Sequence, residues 1–175
     1  HIITQLQVSR DIIPANTNPF KHRTEFINPV KELFFVIQRT SVSNPFDYDH
    51  PSQILNNDYI SYENLQSLEI TLDGEVMLNE KTGKFINLRA VQSGIHHSRT
   101  QLFRRFYSYS FALEPERWYP TGQRNFSMIK NQNFKFDLNA LSENRELRVY
   151  ALSNNILEFK DGVAKLRFNS GKIGN

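Results

Sequence analysis

A few groups of side chains in this chain have the types that chemistry requires. His96 and His97 are adjacent, and Glu114 and Glu116 flank Pro115. Imidazoles and carboxylates can ligate metals or work as acid–base pairs. Neighbours on a strand point to opposite faces, however, and no Glu follows the histidines until Glu114, so this segment is read as a loop. Glu114-Pro115-Glu116 is read as a turn, since nothing in the sequence places a cleft between the carboxylates. Asp47, Asp49 and His50 cluster in the long loop, but a hard-cation site needs more convergent oxygens. Arg99, Arg104 and Arg105 interleave with Phe103, Phe106 and Tyr107, a mixture used to bind single-stranded nucleic acid. On an alternating strand those aromatics face a core and the arginines face water or a neighbour. Asn125-Phe126-Ser127 is formally a glycosylation sequon, but Phe126 is expected to be buried in a strand. No phosphate-cradling glycine loop, H-E-x-x-H or G-x-S-x-G occurs. The expectation is a chain that is not an enzyme, with no cofactor and no metal.

Composition narrows the partners. The 21 basic and 18 acidic residues leave a net charge of +3, too mild for a nucleic-acid binder. No apolar run is long enough for membrane insertion. With no Cys, neither a disulfide nor a cysteine–zinc site can form. At 175 residues the chain is expected to be one domain, 1–175. It begins at His1 and is strand-like at once, which points to a fragment or a processed product.

The elements that must position these residues are short strands between turns. Ile2–Val8 comes first, followed by a polar loop with Pro14, Asn16, Asn18 and Pro19. Thr24–Ile27 and Glu32–Arg39 flank Asn28-Pro29, and the unbroken apolar run Leu33–Ile37 suits a strand buried on both faces. Leu68, Ile70 and Leu72 alternate into Asp73-Gly74, a hairpin turn whose residues must tolerate positive φ. Val76–Asn79 pairs back, and Phe85–Leu88 follows the turn Lys81–Lys84. Tyr107–Leu138 holds three strands: Tyr107 to Leu113, one with Phe126 and Met128 on one face, and Phe134 to Leu138. Glu146–Leu152, an Asn154-Asn155 turn, Ile156–Lys160, Asp161-Gly162 and Val163–Phe168 close the chain. Residues 41–66 are expected to be a long surface loop, with Ser52–Gln66 the only stretch that could hold a short helix, and 169–175 a frayed tail. Many short strands at regular spacing predict an all-β antiparallel sandwich or barrel.

The same residues carry a resemblance. Asn28-Pro29-Val30-Lys31-Glu32-Leu33, Leu72-Asp73-Gly74, Tyr109-Ser110-Phe111-Ala112-Leu113-Glu114-Pro115-Glu116 and Pro120-Thr121-Gly122 through Asn125-Phe126-Ser127 stand in order. With Val149-Tyr150-Ala151, Asn155-Ile156-Leu157 and Gly162–Phe168, they resemble nucleocytoplasmic large DNA virus major capsid proteins from Ile2 to Phe168. Two places depart from that pattern. Glu75-Val76 replaces Asp-Arg after the hairpin, and Met128-Ile129-Lys130-Asn131 replaces Arg-Ile-Asp-Asn.

The resemblance implies an eight-stranded jelly-roll sandwich, the second roll of a tandem, here expected to lack its first strand. It implies Pro29, Lys31, Glu32, Asp73, Gly74, Phe111, Pro115, Pro120, Gly122, Asn125, Phe126, Ser127 and Gly162 as structural signature positions. It further implies homotrimers with a pseudo-hexagonal outline, contacts with neighbouring capsomers and minor capsid proteins, and a place in the virion after assembly in the host cell, in its cytoplasm. Residues 41–66 would face outward or toward a neighbour. The alternative is a lectin-like jelly-roll module using Trp118 and Tyr119; a third reading is a cupin-like metal enzyme.

Overall fold

The computed structural model describes residues 1–42, 63–98 and 106–168. Among these residues, ten strands form two sheets. They are β1 (Ile2–Ile13), β2 (Phe20–Thr24), β3 (Pro29–Arg39), β4 (Leu65–Leu72), β5 (Glu75–Leu78), β6 (Phe106–Ser110), β7 (Arg124–Asn125), β8 (Gln132–Leu138), β9 (Arg145–Lys160) and β10 (Val163–Leu166). One sheet runs β1-β9-β3-β6, with β7 added to β3 and β10 to β9; the other runs β2-β8-β4-β5. Every pairing is antiparallel. The chain crosses between sheets after β1, β2, β3, β5, β7 and β8, the winding of a jelly roll. The eight strands on the two main paths complete the roll, so the expected loss of a first strand is corrected: β1 fills that place.

The core lies between the sheets. Leu33, Phe35 and Ile37 of β3 and Leu147, Val149 and Ala151 of β9 meet Leu68, Ile70, Phe134 and Phe136 of the second sheet, all at most 1% exposed. The run Leu33–Ile37 is buried on both faces as expected, apart from half-buried Phe34. Asp73 and Gly74 take φ values of 50° and 87°, as the hairpin requires.

Several boundaries differ from the sequence reading, each for a local reason. Strand β2 ends at Thr24, where Thr24–Ile27 was expected to be a strand; Gln132 instead binds the Thr24 hydroxyl and the Phe26 amide, both at 2.8 Å. Phe85–Leu88 is not a strand. A widened helical turn, Asn87–Val91, leads directly into α1 (Gln92–His96), and Leu88 and Ser93 face inward. Three apolar residues interrupted by Asn87 fit either period, and Leu, Arg, Ala and Gln favour helix. Phe126 and Met128 do not share a face. Asn125 accepts a hydrogen bond from the Ser127 amide and starts a single helical turn, Phe126–Met128, which leaves Phe126 1% and Met128 77% exposed.

Asn154-Asn155 is not a turn either, because β9 runs unbroken through it. Both side chains are buried and serve neighbours in place of a turn. Asn155 donates to Gln5 Oε1 at 2.6 Å and accepts from the Phe168 amide at 3.0 Å, and Asn154 donates to Gln123 Oε1 at 3.0 Å. The final strand stops at Leu166, short of Phe168. The expected loop 41–66 ends early: Glu63 and Asn64 are buried, and Leu65 and Gln66 open β4. Most of that loop, Asp47, Asp49 and His50 included, lies outside the described residues, as do Arg99, Arg104 and Arg105 and the tail 169–175.

Candidate contact surfaces

The signature residues from the sequence gather mainly around the start of β3. Pro29 pairs with Asn125 across β3 and β7, and the Phe126 amide donates to Asn28 O at 2.9 Å. Ser127 Oγ accepts from the Asn28 amide at 2.8 Å, where Asn28 takes a φ of 71°. Phe126 is packed against Phe26 and Phe111. Lys31 donates to Pro115 O at 2.8 Å, and burial pulls its ammonium below the ordinary lysine range. Gly122, at φ 149°, brings its backbone so close to Phe111 that an added Cβ would sit 2.6 Å from Phe111 O. Pro120 is exposed on the same loop. Asp73 stands apart, its carboxylate accepting from the amides of Lys130 and Asn131, with Gly74 beside it. Gly162, at φ 75°, turns β9 into β10.

The histidine and glutamates prove to be neighbours. His97 follows α1 and places Nε2 2.7 Å from Glu32 Oε1 on β3 and Nδ1 3.4 Å from Glu116 Oε1. The contact with Glu32 above all raises the His97 pKa above its ordinary value, against the opposing effect of burial, with Glu116 adding to the rise. His96 points elsewhere, its Nδ1 2.8 Å from Leu113 O. The adjacent histidines therefore do diverge as expected, but one carboxylate that His97 meets comes from a residue 65 positions earlier. No spacing rule connects Glu32 to His97. Among the described residues, no group of three or more His, Asp or Glu side chains is arranged to hold a metal.

The outer faces of the two sheets have opposite characters. On the second sheet, Lys21 pairs with Lys135, which pairs with Glu69; Arg23 pairs with Asn133, which pairs with Thr71. That face is charged and polar. On the first sheet, Leu6 pairs with Leu152, Val8 with Tyr150 and Ile2 with Ile156. Leu6, Val8 and Ile12 are 61%, 48% and 50% exposed. The middle of strand β1 is inverted: Gln5, Gln7 and Ser9 turn inward, where Gln7 Nε2 donates to Ile27 O at 2.7 Å and Gln7 Oε1 accepts from the Ile27 amide at 3.0 Å, while Thr4 and Arg10 stay exposed on the outer face and Ile13 is buried. The sequence shows the alternation of β1 but not which half faces out. Toward β6 the same outer face carries the helical segment, with Phe34 against His97 and Ser108 against Ser93. Among the described residues, nothing comparable covers the β1–β9 half.

A third exposed cluster sits on the loop between β6 and β7. Trp118 is 82% and Leu113 75% exposed, and the Trp118 and Tyr119 rings meet edge to face at 5.4 Å. Arg124, near the loop's end, pairs with Glu75 at 2.7 Å, so one of the residues departing from the family pattern has a partner within the chain.

Known proteins share this architecture. The fold matches the PBCV-1 capsid protein VP54, as fitted into a reconstruction of the virophage Sputnik, with a TM-score of 0.78 at 19% identity, over 97% of this chain and 51% of that one. It matches the Faustovirus major capsid protein with a TM-score of 0.67 at 12% identity, over 88% of this chain and 33% of that one. The major capsid protein of Phaeocystis pouchetii virus is 31% identical over 58% of this chain and 20% of its own length. That of Pyramimonas orientalis virus is 25% identical over 97% of this chain and 43% of its own length. The chain thus spans less than half the length of these curated relatives. The family these relatives represent is structural rather than enzymatic. The family model described as "Large eukaryotic DNA virus major capsid protein" matches residues 1–165, and the chain belongs to that family.

Proposed function

We propose that this chain is one jelly-roll domain of a major capsid protein, 1–175, and that its work is shell assembly. It forms homotrimeric, pseudo-hexagonal capsomers in the icosahedral capsid of a large double-stranded DNA virus. Neighbouring capsomers and minor capsid proteins are its partners, without direct nucleic-acid contact or membrane insertion. Assembly takes place in the host cell, in its cytoplasm, and the product is the virion. The signature residues around Pro29, Lys31, Glu32, Phe111, Pro115, Pro120, Gly122 and Asn125-Phe126-Ser127 hold the loop ends in shape, Asp73-Gly74 and Gly162 set two turns, and the exposed surfaces make the contacts.

The observation that carries this reading is the inverted β1. A free-standing sandwich would turn Leu6, Val8 and Ile12 inward and Gln5, Gln7 and Ser9 outward. The opposite arrangement leaves an apolar strip whose burial against a neighbour is favourable, each such side chain contributing about 1.5–3 kcal/mol if fully covered. Interfaces that never open are apolar in this way.

The test is Leu6→Asp with Val8→Asp in the full-length polypeptide. Both sites are exposed, so the subunit's own stability should change by no more than about 1 kcal/mol. Sedimentation should show folded subunits that no longer form trimers, and electron microscopy should show no particles. Wild-type trimers and particles from the double variant would refute the assignment of this face to assembly.

The exposure of Trp118 also favours a lectin-like module. Saturable binding on a glycan array that is lost in Trp118→Ala would support that second reading, and an array without signal would remove it.

A further inference from the structure

The loop from Phe111 to Gln123 presents Leu113, Trp118 and Tyr119 to solvent, and specific contacts among the described residues attach it to the rest of the molecule. At its start, the amides of Phe111 and Ala112 donate to Lys31 O. In its middle, Lys31 Nζ holds Pro115 O, His96 meets Leu113 O, and Glu116 meets both His97 and the Ser98 amide, the latter at 3.1 Å. Within the loop, Glu114 pairs with Arg117, and Thr121 exchanges hydrogen bonds with the Glu114 backbone.

We propose that His97 is a proton-operated clamp that fastens the Trp118-bearing loop to strand β3 and to the end of α1. An imidazolium has two N–H donors, and here each faces a carboxylate: Nε2 faces Glu32 and Nδ1 faces Glu116. A neutral imidazole keeps only one donor. The two carboxylates do not compete for it equally. Glu32 is 1% exposed, and its Oε2 has no hydrogen-bond partner among the described residues. Leaving that charge buried without the His97 bond is the costlier outcome, so the remaining proton stays on Nε2. Nδ1 then turns a lone pair toward the Glu116 carboxylate. Glu116 is 45% exposed and can be hydrated instead, so the loop side of the clamp opens. Among the described residues, the other charged groups near this joint are Lys31, His96, Glu114 and Arg117. Lys31 is engaged with Pro115 O and Arg117 with Glu114.

The direction follows from the sign of the shift. The His97 pKa is raised in the fold, so the clamp is fully formed below the unfolded value of about 6.5 and is lost as pH rises through the folded value. At the acid end, hydrogen bonds from Ser98 first and then His97 hold Glu116 below the ordinary carboxylate range. Its contribution is present above the unfolded value of about 4.3 and is lost as pH falls through its depressed folded value. The loop is thus firm in mildly acidic solution and loosens as pH rises through the raised folded value of His97. The clamp is a property of the fold and holds whether or not this loop makes capsid contacts.

Trp118 is the only tryptophan in the chain and lies in the loop in question. Its fluorescence anisotropy and acrylamide quenching should therefore report the clamp between about pH 5 and 9, below the tyrosine range. The expected result is one transition with a midpoint above about 6.5, toward lower anisotropy and stronger quenching, while circular dichroism stays unchanged. His97→Gln should abolish it. Glu116→Gln alters an exposed side chain, so it should fold, and it should also remove the transition because no carboxylate remains to be released. A wild-type chain with no transition in this range, or a transition that survives in Glu116→Gln, overturns the proposal.

Discussion

Phe35→Ala should lower the stability of the chain by about 3–5 kcal/mol, read as a fall in the urea midpoint with the slope unchanged. Phe35 is fully buried at the centre of the sandwich, and its ring lies 5.9 Å from both Phe134 and Phe136 of the opposite sheet. Truncation removes the transfer energy of a benzyl group and also leaves a cavity. Both sheets bound that cavity, and their ladders resist collapse. The adjacent Phe34→Ala should cost distinctly less, because Phe34 lies on the outer face, half-buried beside His97 and Phe106. Equal losses at the two positions would mean that the inward and outward assignment of β3 is wrong.

That pair of neighbours also shows how far sequence reasoning reaches. The run Leu33–Ile37 announces a strand buried on both faces, and the paired strands around Asp73-Gly74 announce a hairpin. Each is a local pattern with a local physical cause. Patterns fail where a side chain does work at a distance. Asn154 and Asn155 are turn formers by type, yet they lie within β9 because Gln123, Gln5 and Phe168 engage their amides. Phe85–Leu88 fits either period, yet it is helical, and Leu88 joins the core cluster. The polarity of β1 is a further case: alternation shows two faces, but only the second sheet's position says which is inside.

The signature motifs were visible as words, while their shared location at the start of β3 was not. Lys31 and Pro115 stand 84 positions apart, and the contact between them is made by the folded loop. The same holds for Glu32, His97 and Glu116. His96-His97 looked unpromising as a ligand pair, and that judgement concerned only their relation to each other. The clamp arises because a carboxylate from an early strand is buried where the helix ends.

Arg89→Ala should also cost about 3–5 kcal/mol, through charge rather than volume. Arg89 lies in the helical turn before α1 and pairs with Glu63, whose side chain is 5% exposed just ahead of β4. Tyr107 of β6 donates to Glu63 Oε2 at 2.8 Å, and its hydroxyl oxygen accepts from the Leu65 amide at 3.4 Å. Three segments far apart in sequence therefore meet at one carboxylate. Without the guanidinium, that carboxylate keeps the Tyr107 hydroxyl but loses its counter-charge, and it cannot reach water. Adding Glu63→Gln should recover much of the loss at pH 7, since a neutral amide needs no counter-charge and can still accept from Tyr107. Chemical denaturation of the two variants at pH 7 measures both effects. A deficit unrelieved by Glu63→Gln would assign the cost of Arg89→Ala to lost packing of the arginine stem. In that case the helical segment would be held over the sheet by apolar contact, and the ion pair would be incidental to the roll's stability.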